Sequence, residues 1–369
     1  MSDLHTDHPA NMEWLKSLPT PNPPEDVLII AGDVASALHV LEATLRECLA
    51  RFAKVFFVPG NHEAWVAADA PQRYIGASEP KPDSLTKLAR VRELCETLGV
   101  QTTPQLLGSV WVVPLAAWYD LSLDLVPSGR PPQWMSDLLR PFRGGDDAAD
   151  ADADGAGGRW QLPSSFATLV QDFDSFGWSD FAMCKWPEEL ESALDTFTGK
   201  YPSGVAQRLL AANEPLVRDV HAALCAGRGA GVLSFSHFLP CRQTLPDWMD
   251  PHADAFDPSW LGHAAAGKAA KFSRVAGSAQ LDRQLRALTA GLPEGRTVKH
   301  VHAFGHSHRP KDFELRGVRY VHHPVAYGEE RRTRRVPPTP CFKLIWDASG
   351  PVPSERILRF WEEHGGSVG

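Results

Sequence analysis

The sequence has 369 residues, of which 43% are hydrophobic and 22% are charged, as in an ordinary soluble globular protein that buries a sizeable core. No apolar stretch approaches the length that crosses a bilayer, which argues against a membrane-spanning role. The net charge of -8 disfavours indiscriminate binding to nucleic acid, so nucleic acid is not an expected partner.

The cysteines and the first residues bear on cellular location. The six cysteines contain no Cys-x-x-Cys pair, so neither a zinc knuckle nor a redox motif is indicated. We interpret them as buried thiols in a reducing compartment. Polar residues follow Met1 at once, which is not the pattern of a signal peptide. We therefore expect a cytoplasmic protein, unless a targeting segment is missing from the N-terminus of this chain.

Side chains that suit a metal begin close to the N-terminus. Asp3 and His5 are two residues apart, so in an extended chain both point the same way. They predict a metal pair, although a disordered polar terminus is the interpretation that position alone favours. The apolar run Val27–Ala31 predicts a buried parallel strand that ends in a carboxylate, Asp33. A helix is predicted at about 37–52, because leucines recur on one face.

A second strand is predicted at 55–58, and a Pro-Gly turn follows it. Asn61, His62 and Glu63 come directly after this turn. The two strands and the helix between them form a predicted β-α-β unit. Such a polar trio is placed to converge on a ligand. Taken alone, a loop whose side chains hydrogen-bond their own turn is the simpler interpretation.

The next elements are a helix and a strand. Ser84 is a good N-cap for a helix that ends at Leu98, where Gly99 supplies the stop. The strand Val110–Pro114 leads into aromatic residues that either line a pocket or pack in the core.

Two segments in the middle of the chain differ from the rest. Residues 144–158 are acidic, low in complexity and free of large apolar groups, so they cannot bury enough surface to offset the entropy of ordering. We predict a disordered insertion there. Residues 159–205 are rich in aromatic and acidic side chains and predict an insertion or a lid. With these insertions, residues 1–369 are expected to form a single domain.

The last part of the chain brings three more histidines to strand ends. Helices are predicted at 207–224 and 281–288, and strands at 231–236, 298–304, 318–322 and 341–346. His237 ends the first of these strands, and His306 and His308 follow the second. Two histidines at i and i+2 can bind one metal or two neighbouring ions, and two solvent-facing loop histidines are the alternative.

These side chains form an ordered set. In open α/β sheets, ligands bind at the carboxyl ends of the strands, which is where the apolar runs place them. The set is Asp3 and His5, Asp33, Asn61 and His62, His237, then His306 and His308. The series Asp-x-His, Gly-Asp, Gly-Asn-His-Glu, a lone strand-end His and Gly-His-x-His resembles that of the calcineurin-like metallophosphoesterase superfamily.

The resemblance implies an α/β fold, the calcineurin-like four-layer α-β-β-α sandwich with two mixed sheets. It also implies two bound metal ions, of manganese, zinc or iron. The first ion would be held by Asp3, His5 and His308, the second by Asn61, His237 and His306, and both by Asp33 as a bridge. Imidazole and carboxylate suit these metals, and a shared carboxylate lets two cations lie roughly 3.5 to 4 Å apart.

The resemblance further implies a reaction and catalytic residues. A hydroxide that bridges the metals, beside Asp33, would attack phosphorus in line. His62 would assist departure of the leaving oxygen, and the neighbouring Glu63, which would not bind metal itself, would orient the His62 ring.

The chain departs from the family pattern at two points. The first motif normally follows a hydrophobic strand, but only Met1 and Ser2 precede Asp3, so we expect a truncated first strand. The Ser/Thr protein phosphatases of this superfamily continue Gly-Asp with Val-Asp-Arg-Gly, whereas residues 34–37 are Val-Ala-Ser-Ala. The chain looks more like the small-molecule phosphodiesterase and phosphomonoesterase branches.

The expected activity is therefore hydrolysis of a small-molecule phosphoester. A non-catalytic scaffold of the same fold is the alternative, and the presence of every expected ligand together with His62 favours the enzyme. Residues that flank the motifs are candidates for substrate contacts, with a structural role as the alternative for each. They are Trp65, Trp118, Tyr119, Arg242 and Arg309.

Overall fold

A computed structural model describes residues 1–21, 23–66, 83–125, 178–191, 203–254, 272–333 and 335–353. The predicted disordered insertion at 144–158 lies outside the described residues, as does most of the aromatic-rich segment at 159–205. No helix in the described ranges is long and apolar enough to span a membrane.

The described helices and strands follow the order of an α/β protein. The helices are α1 (Pro9–Ser17), α2 (Leu38–Leu49), α3 (Asn61–Ala64), α4 (Ser84–Leu98), α5 (Ser179–Met183), α6 (Ser203–Cys225), α7 (Ala279–Ala287) and α8 (Gly328–Arg332). The strands are β1 (Val27–Ala31), β2 (Lys54–Val58), β3 (Gln105–Leu107), β4 (Val110–Pro114), β5 (Gly231–Phe235), β6 (Lys299–Phe304), β7 (Lys311–Leu315), β8 (Val318–His322), β9 (Trp346–Asp347) and β10 (Gly350–Pro351).

The larger sheet has the strand order β3-β4-β5-β6-β8-β7. Strands β4, β5, β6 and β8 run parallel, whereas β3 and β7 pair antiparallel at the two edges. The parallel strands are buried over most of their length, as expected for strands covered on both faces. The sequence analysis did not predict β3 and β7, whose residues are mostly half-buried or exposed.

The smaller sheet pairs β1 with β2 in parallel, and the first residues of the chain extend it. The N–H of Ala31 donates to the carbonyl of Met1 (2.9 Å), and the N–H of Val325 donates to the carbonyl of Ser2 (3.0 Å). The first three residues therefore lie beside β1 and are hydrogen-bonded on both sides. The expected truncation of the first strand does not leave Asp3 without an anchor.

The side chains of the smaller sheet alternate between two cores. In β1, Leu28 and Ile30 face helices, whereas Ile29 faces the larger sheet. Ile29 shares the core between the sheets with Phe56 of β2 and Val301 of β6. This two-residue period is that of a strand with a covered surface on each side.

Helices cover the outer faces of both sheets. Leu15 of α1, Leu41 of α2 and Val91 of α4 pack on the smaller sheet. Leu210 of α6 and Leu281 of α7 pack on the larger sheet. The order helix, sheet, sheet, helix confirms the predicted four-layer sandwich, and the larger sheet is mixed as expected.

The strand predicted at 341–346 is wrong. In its place the short strands β9 and β10 form a hairpin with each other. The ring of Phe342 contacts the rings of Trp14 and Phe52, with centroids 5.6 and 4.9 Å apart. The apolar residues of this segment pack against two cores, Phe342 on the helical layer and Ile345 and Trp346 on the core between the sheets.

The cysteines are free thiols, and most of them match the prediction of buried thiols. Four are buried, whereas Cys225 is partly exposed and Cys341 is exposed, so the prediction is wrong for these two.

The N-terminus of α4 is capped by a different residue from the predicted one. The helix begins at Ser84, but the carboxylate of Asp83 accepts the N–H of Thr86 (2.7 Å) and is the N-cap. The Ser84 hydroxyl instead donates to the carbonyl of Ala64 (2.7 Å) and accepts the N–H of Lys185 (2.9 Å). Ser84 thus ties α4 to its neighbours.

Replacing Asp83 by alanine removes the capping oxygen, and we expect the free energy of unfolding to fall by about 1 kcal/mol. Asparagine keeps such an oxygen, so Asp83→Asn should cost less than about 0.5 kcal/mol. Urea denaturation of the wild type and the two variants measures both differences. Equal losses would mean that the charge of Asp83, not its capping role, stabilises α4.

Candidate metal centre

The sequence-predicted metal ligands meet at one edge of the two sheets. They are Asp3 and His5 from the first residues, Asp33 after β1, Asn61 after β2, His237 after β5, and His306 and His308 after β6. Apart from the partly exposed His308, these residues are buried. Convergence of strand ends therefore brings together residues that are up to 305 positions apart in the chain.

Their side chains form two groups in which the potential ligand atoms all lie within 4.8 Å of one another. The first group is Asp3, His5, Asp33 and His308, and the second is Asp33, His237 and His306. Asp33 belongs to both groups, as a bridging carboxylate would.

Backbone carbonyls fix the protons of the two histidines in the second group. The Nδ1 of His237 donates to the carbonyl of Ala31, and the Nε2 of His306 donates to the carbonyl of Val275, both at 2.9 Å. A carbonyl can only accept, so the other ring nitrogens carry lone pairs. His237 Nε2 and His306 Nδ1 each lie 3.0 Å from the Oδ1 of Asn61, and 3.2 Å from one another.

Lone pairs of His237, His306 and the neighbouring Asn61 thus face one another at the second group. Burial lowers the pKa of His237 to about 4 and that of His306 well below its usual range, so both rings are neutral near pH 7. With no proton between them the atoms repel, unless a cation lies among them. Ligands about 2.1 Å from one ion lie about 3.0 to 3.4 Å apart, so the arrangement fits a transition-metal ion.

The first group also places ring nitrogens and a carboxylate oxygen close together. His5 Nε2 lies 3.0 Å from His308 Nε2, which lies 3.4 Å from the Oδ1 of Asp3. The Nδ1 of His308 donates to Glu330 (2.7 Å). Burial lowers the pKa of His308, but the carboxylates of Asp3 and Glu330 outweigh it and raise the pKa to about 10. A metal ion at this position would replace the proton on His308.

Asp33 lies between the two groups. Its Oδ1 is 3.4 Å from His237 Nε2, and its Oδ2 is 3.9 Å from His5 Nε2. Burial raises the pKa of Asp33 well above its usual range, and the carboxylates of Glu63 and Asp3 raise it further. Several carboxylates buried together are costly without positive charge, so this electrostatic environment also fits bound cations.

Five of the candidate ligands have positive backbone φ angles, which residues other than glycine rarely adopt. They are Asp3 (53°), His5 (44°), Asp33 (53°), His306 (75°) and His308 (50°). Such a conformation costs on the order of 1 to 3 kcal/mol per residue and persists only where the surroundings enforce it. Strain concentrated on the ligands supports a functional role for this cluster.

Two glycines allow the close approach of the strand ends. Gly32 has a φ of 76°, and a Cβ there would lie 2.5 Å from the ring of His237. A Cβ on Gly60 would lie 2.2 Å from the Oδ1 of Asp33. Side chains at these positions would displace the candidate ligands themselves.

Glu63 organises the backbone around Asp33. Its carboxylate accepts the N–H groups of Gly60 (2.7 Å), Asp33 (3.1 Å), Val34 (2.7 Å) and Ala35 (3.1 Å). The prediction that Glu63 orients the His62 ring is therefore corrected, because its oxygens bind main chain instead. The trio of Asn61, His62 and Glu63 also forms part of the one-turn helix α3 rather than a loop.

His62 lies beside the two groups without joining either of them. Its Nδ1 is 3.0 Å from the hydroxyl of Ser36, and its Nε2 is 3.8 Å from the Oδ2 of Asp33. The indole of Trp65 stacks on the ring, with centroids 3.7 Å apart. Burial lowers the pKa of His62 to about 3. A neutral, oriented imidazole next to the bridging carboxylate is placed to act on a group bound there.

The five candidate substrate contacts lie in three different environments. Trp65 lies at the site, on His62, and Arg309 lies 3.7 Å from Glu330, the partner of His308. Trp118 and Tyr119 are almost wholly buried in the core, so the prediction that they line an open pocket is corrected.

Arg242 is exposed and donates to the carbonyl of Asp124 (3.0 Å). No contact between Arg242 and the two ligand groups is seen among the described residues, so a role in substrate binding stays a prediction.

Sequence reasoning missed several residues that hold the ligands in place. They are Ser36, Asp180, His322, Tyr327 and Glu330. His322 Nε2 lies 3.2 Å from the Oδ2 of Asp3, and the ring of Tyr327 stacks on that of His5 at 4.4 Å. Tyr327 and Glu330 lie three residues apart in a stretch rich in Glu and Arg, outside the motif series.

Comparison with known proteins agrees with this geometry. Residues 1–144 match the family described as calcineurin-like phosphoesterase. Within the calcineurin-like region lie Asp3, His5, Asp33, Asn61 and His62, whereas His237, His306 and His308 lie beyond it and join the site through the fold.

A curated relative is the [acyl-carrier-protein] phosphodiesterase PptH of Mycobacterium tuberculosis, which is 36% identical over 137 residues. The match covers 35% of this chain and 39% of the relative, so it spans about two fifths of the relative's length. The crystal structure of the phosphopantetheinyl hydrolase PptH from the same organism matches with a TM-score of 0.53 at 22% identity. That match covers 93% of this chain and 96% of the other, and it shows the shared calcineurin-like fold.

Glu63→Gln should destabilise the protein and disturb the metal centre. Glutamine offers one acceptor oxygen and places an N–H₂ group against backbone donors, so we expect a loss of roughly 2 to 3 kcal/mol in the free energy of unfolding. Urea denaturation measures this loss. Glu42→Gln removes an exposed carboxylate paired with Arg46 and should cost less than about 0.5 kcal/mol. Similar values for the two variants would contradict the role assigned to Glu63.

Removal of metal should lower the melting temperature of the wild type, because cations offset the buried carboxylates and lone pairs. An ion present at 100 times its Kd would stabilise the folded state by about 2.7 kcal/mol. Thermal melting after chelation and after return of Mn²⁺ measures the difference. His39→Ala, an exposed position outside the site, should keep the full response, whereas a wild type indifferent to chelation would count against a metal centre.

Proposed function

We propose that this chain hydrolyses phosphoester bonds at a centre that holds two metal ions. The observation that carries the proposal is the pair of buried ligand groups that share Asp33. Asp3, His5 and His308 would hold one ion, and Asn61, His237 and His306 the other. The match of residues 1–144 to the calcineurin-like phosphoesterase family supports the same reaction class.

The residues around the ions have different roles in the proposed reaction. Bound cations would supply charge that neutralises phosphoryl oxygens and lowers the pKa of a water molecule. Asp33 connects the two halves of the site, because each of its carboxylate oxygens faces one group. His62 lies beside Asp33 with its ring fixed by Ser36 and Trp65, and its Nε2–H would donate a hydrogen bond to the charge that develops on the leaving oxygen.

We further propose a phosphodiester as the substrate, with the phosphopantetheinyl group of an acyl carrier protein as the first candidate. The support is the 36% identity over 137 residues to a protein named for that activity. The shared fold over 93% of this chain is compatible with the same kind of substrate. In that case the small phosphorylated moiety expected from the sequence would be presented on a protein.

The reaction class is tested with bis-p-nitrophenyl phosphate in the presence of Mn²⁺. His62→Ala should lower kcat by about 10² to 10³ with the metal content unchanged, because loss of one hydrogen-bond donor to the charge of the transition state costs that factor. Asp33→Asn should lose both turnover and metal, because the shared carboxylate is weakened at both ions. Metal analysis of the purified variants provides the second readout.

Equal loss of metal in the two variants would contradict the separate roles of His62 and Asp33. A wild type that binds metal yet cleaves neither bis-p-nitrophenyl phosphate nor phosphopantetheinyl carrier protein would favour the non-catalytic scaffold. Cleavage of the model diester alone would support the reaction class and reject the carrier-protein substrate. Mass spectrometry of the carrier protein detects loss of the phosphopantetheinyl group directly.

A further inference from the structure

Asp180, on the short helix α5, is a buried carboxylate that contacts the candidate metal centre from outside. It lies in the aromatic-rich segment beyond the region matched by the family, and it is 1% exposed. Its Oδ1 accepts the amide N–H of Asn61 (2.9 Å) and the indole N–H of Trp65 (2.6 Å). Its Oδ2 accepts the indole N–H of Trp178 (2.7 Å).

The contact with Asn61 decides which end of the amide faces the metal site. An asparagine amide has an acceptor oxygen and a donor nitrogen of nearly the same size, and the two can exchange by rotation. A carboxylate accepts but does not donate, so Asp180 holds the nitrogen and turns the oxygen toward His237 and His306. The reversed amide would point hydrogens at the place of a cation.

The same carboxylate reaches the other side of the site through Trp65. The indole that donates to Asp180 is the one that stacks on His62. The indole of Trp178, also held by Asp180, contacts the ring of His306 edge-on, with centroids 5.9 Å apart. One carboxylate therefore fixes a candidate ligand and two rings that pack on site residues.

We propose that Asp180 is a positioning residue of the second metal site, where it sets the orientation of the Asn61 amide so that its oxygen binds the ion. The inference rests on the proposed two-metal centre. A purely structural Asp180 would instead anchor α5 to the core through the two indoles. The two roles differ in their effect on metal affinity, so metal binding separates them.

The experiment titrates Mn²⁺ into chelator-treated protein and counts bound ions and their affinities by equilibrium dialysis with elemental analysis. Wild type should bind two ions. Asp180→Asn should bind the second about 10- to 100-fold more weakly, the usual effect of losing a partner that orients a ligand, and should keep the first. In an Asn61→Ala background, Asp180→Asn should have no further effect on affinity, because the amide that it orients is gone.

Two further variants guard against a general loss of structure. Asp312→Asn alters another buried carboxylate, paired with Arg319 and Lys343, and should bind two ions as the wild type does. The double variant Asn61→Asp with Asp180→Asn exchanges the donor and acceptor, so it should recover second-site affinity relative to Asp180→Asn alone. This rescue gives a result even where Asp180→Asn reduces stability.

The outcomes distinguish failure of this inference from failure of the proposed function. A folded Asp180→Asn that binds both ions as tightly as the wild type overturns the positioning role and leaves the two-metal centre intact. An equal loss of affinity in the wild-type and Asn61→Ala backgrounds also overturns it, since the effect would not pass through Asn61. A wild type that binds fewer than two ions overturns the two-metal centre and the role of Asp180 with it.

Discussion

Lone pairs that face one another at the ends of the strands are the constraint on which this structure depends. His237, His306 and Asn61 present three such atoms within 3.0 to 3.2 Å, and backbone carbonyls prevent either ring from turning its N–H inward. Neutral rings and an amide oxygen in this arrangement repel unless a cation lies among them. The surrounding fold holds them there, as a site built in advance for its ion requires.

The backbone and side chains that hold these atoms in place have an unfavourable conformational and desolvation free energy of their own. Positive φ angles at Asp3, His5 and Asp33 and a buried carboxylate at Glu63 would each destabilise an isolated segment. Four N–H groups bound to Glu63 and the pairing of the first residues with β1 offset part of this cost. Rigid strand ends, rather than flexible loops, thus set the ligand positions.

Elements with strong local patterns were predicted well. The strands β1 and β4 match their apolar runs residue for residue, because a strand covered on both faces leaves a continuous apolar signature. Edge strands β3 and β7 were missed because half-covered strands carry more polar residues. Residues 341–346 show the opposite error, since side chains that pack on the two cores give an apolar run although only Trp346 is paired in a strand.

The sequence by itself determined the identities of the candidate ligands and their order, because all of them except Asp3 and His5 follow an apolar run that ends at the sheet edge. Only the tertiary structure decided how their environment is built. Glu63 binds main chain instead of His62, Asp180 reaches Asn61 from 119 positions away, and Glu330 supports His308. Such contacts join residues that are distant in the chain, so no local pattern encodes them, and they form only when the layers of the sandwich close around the strand ends.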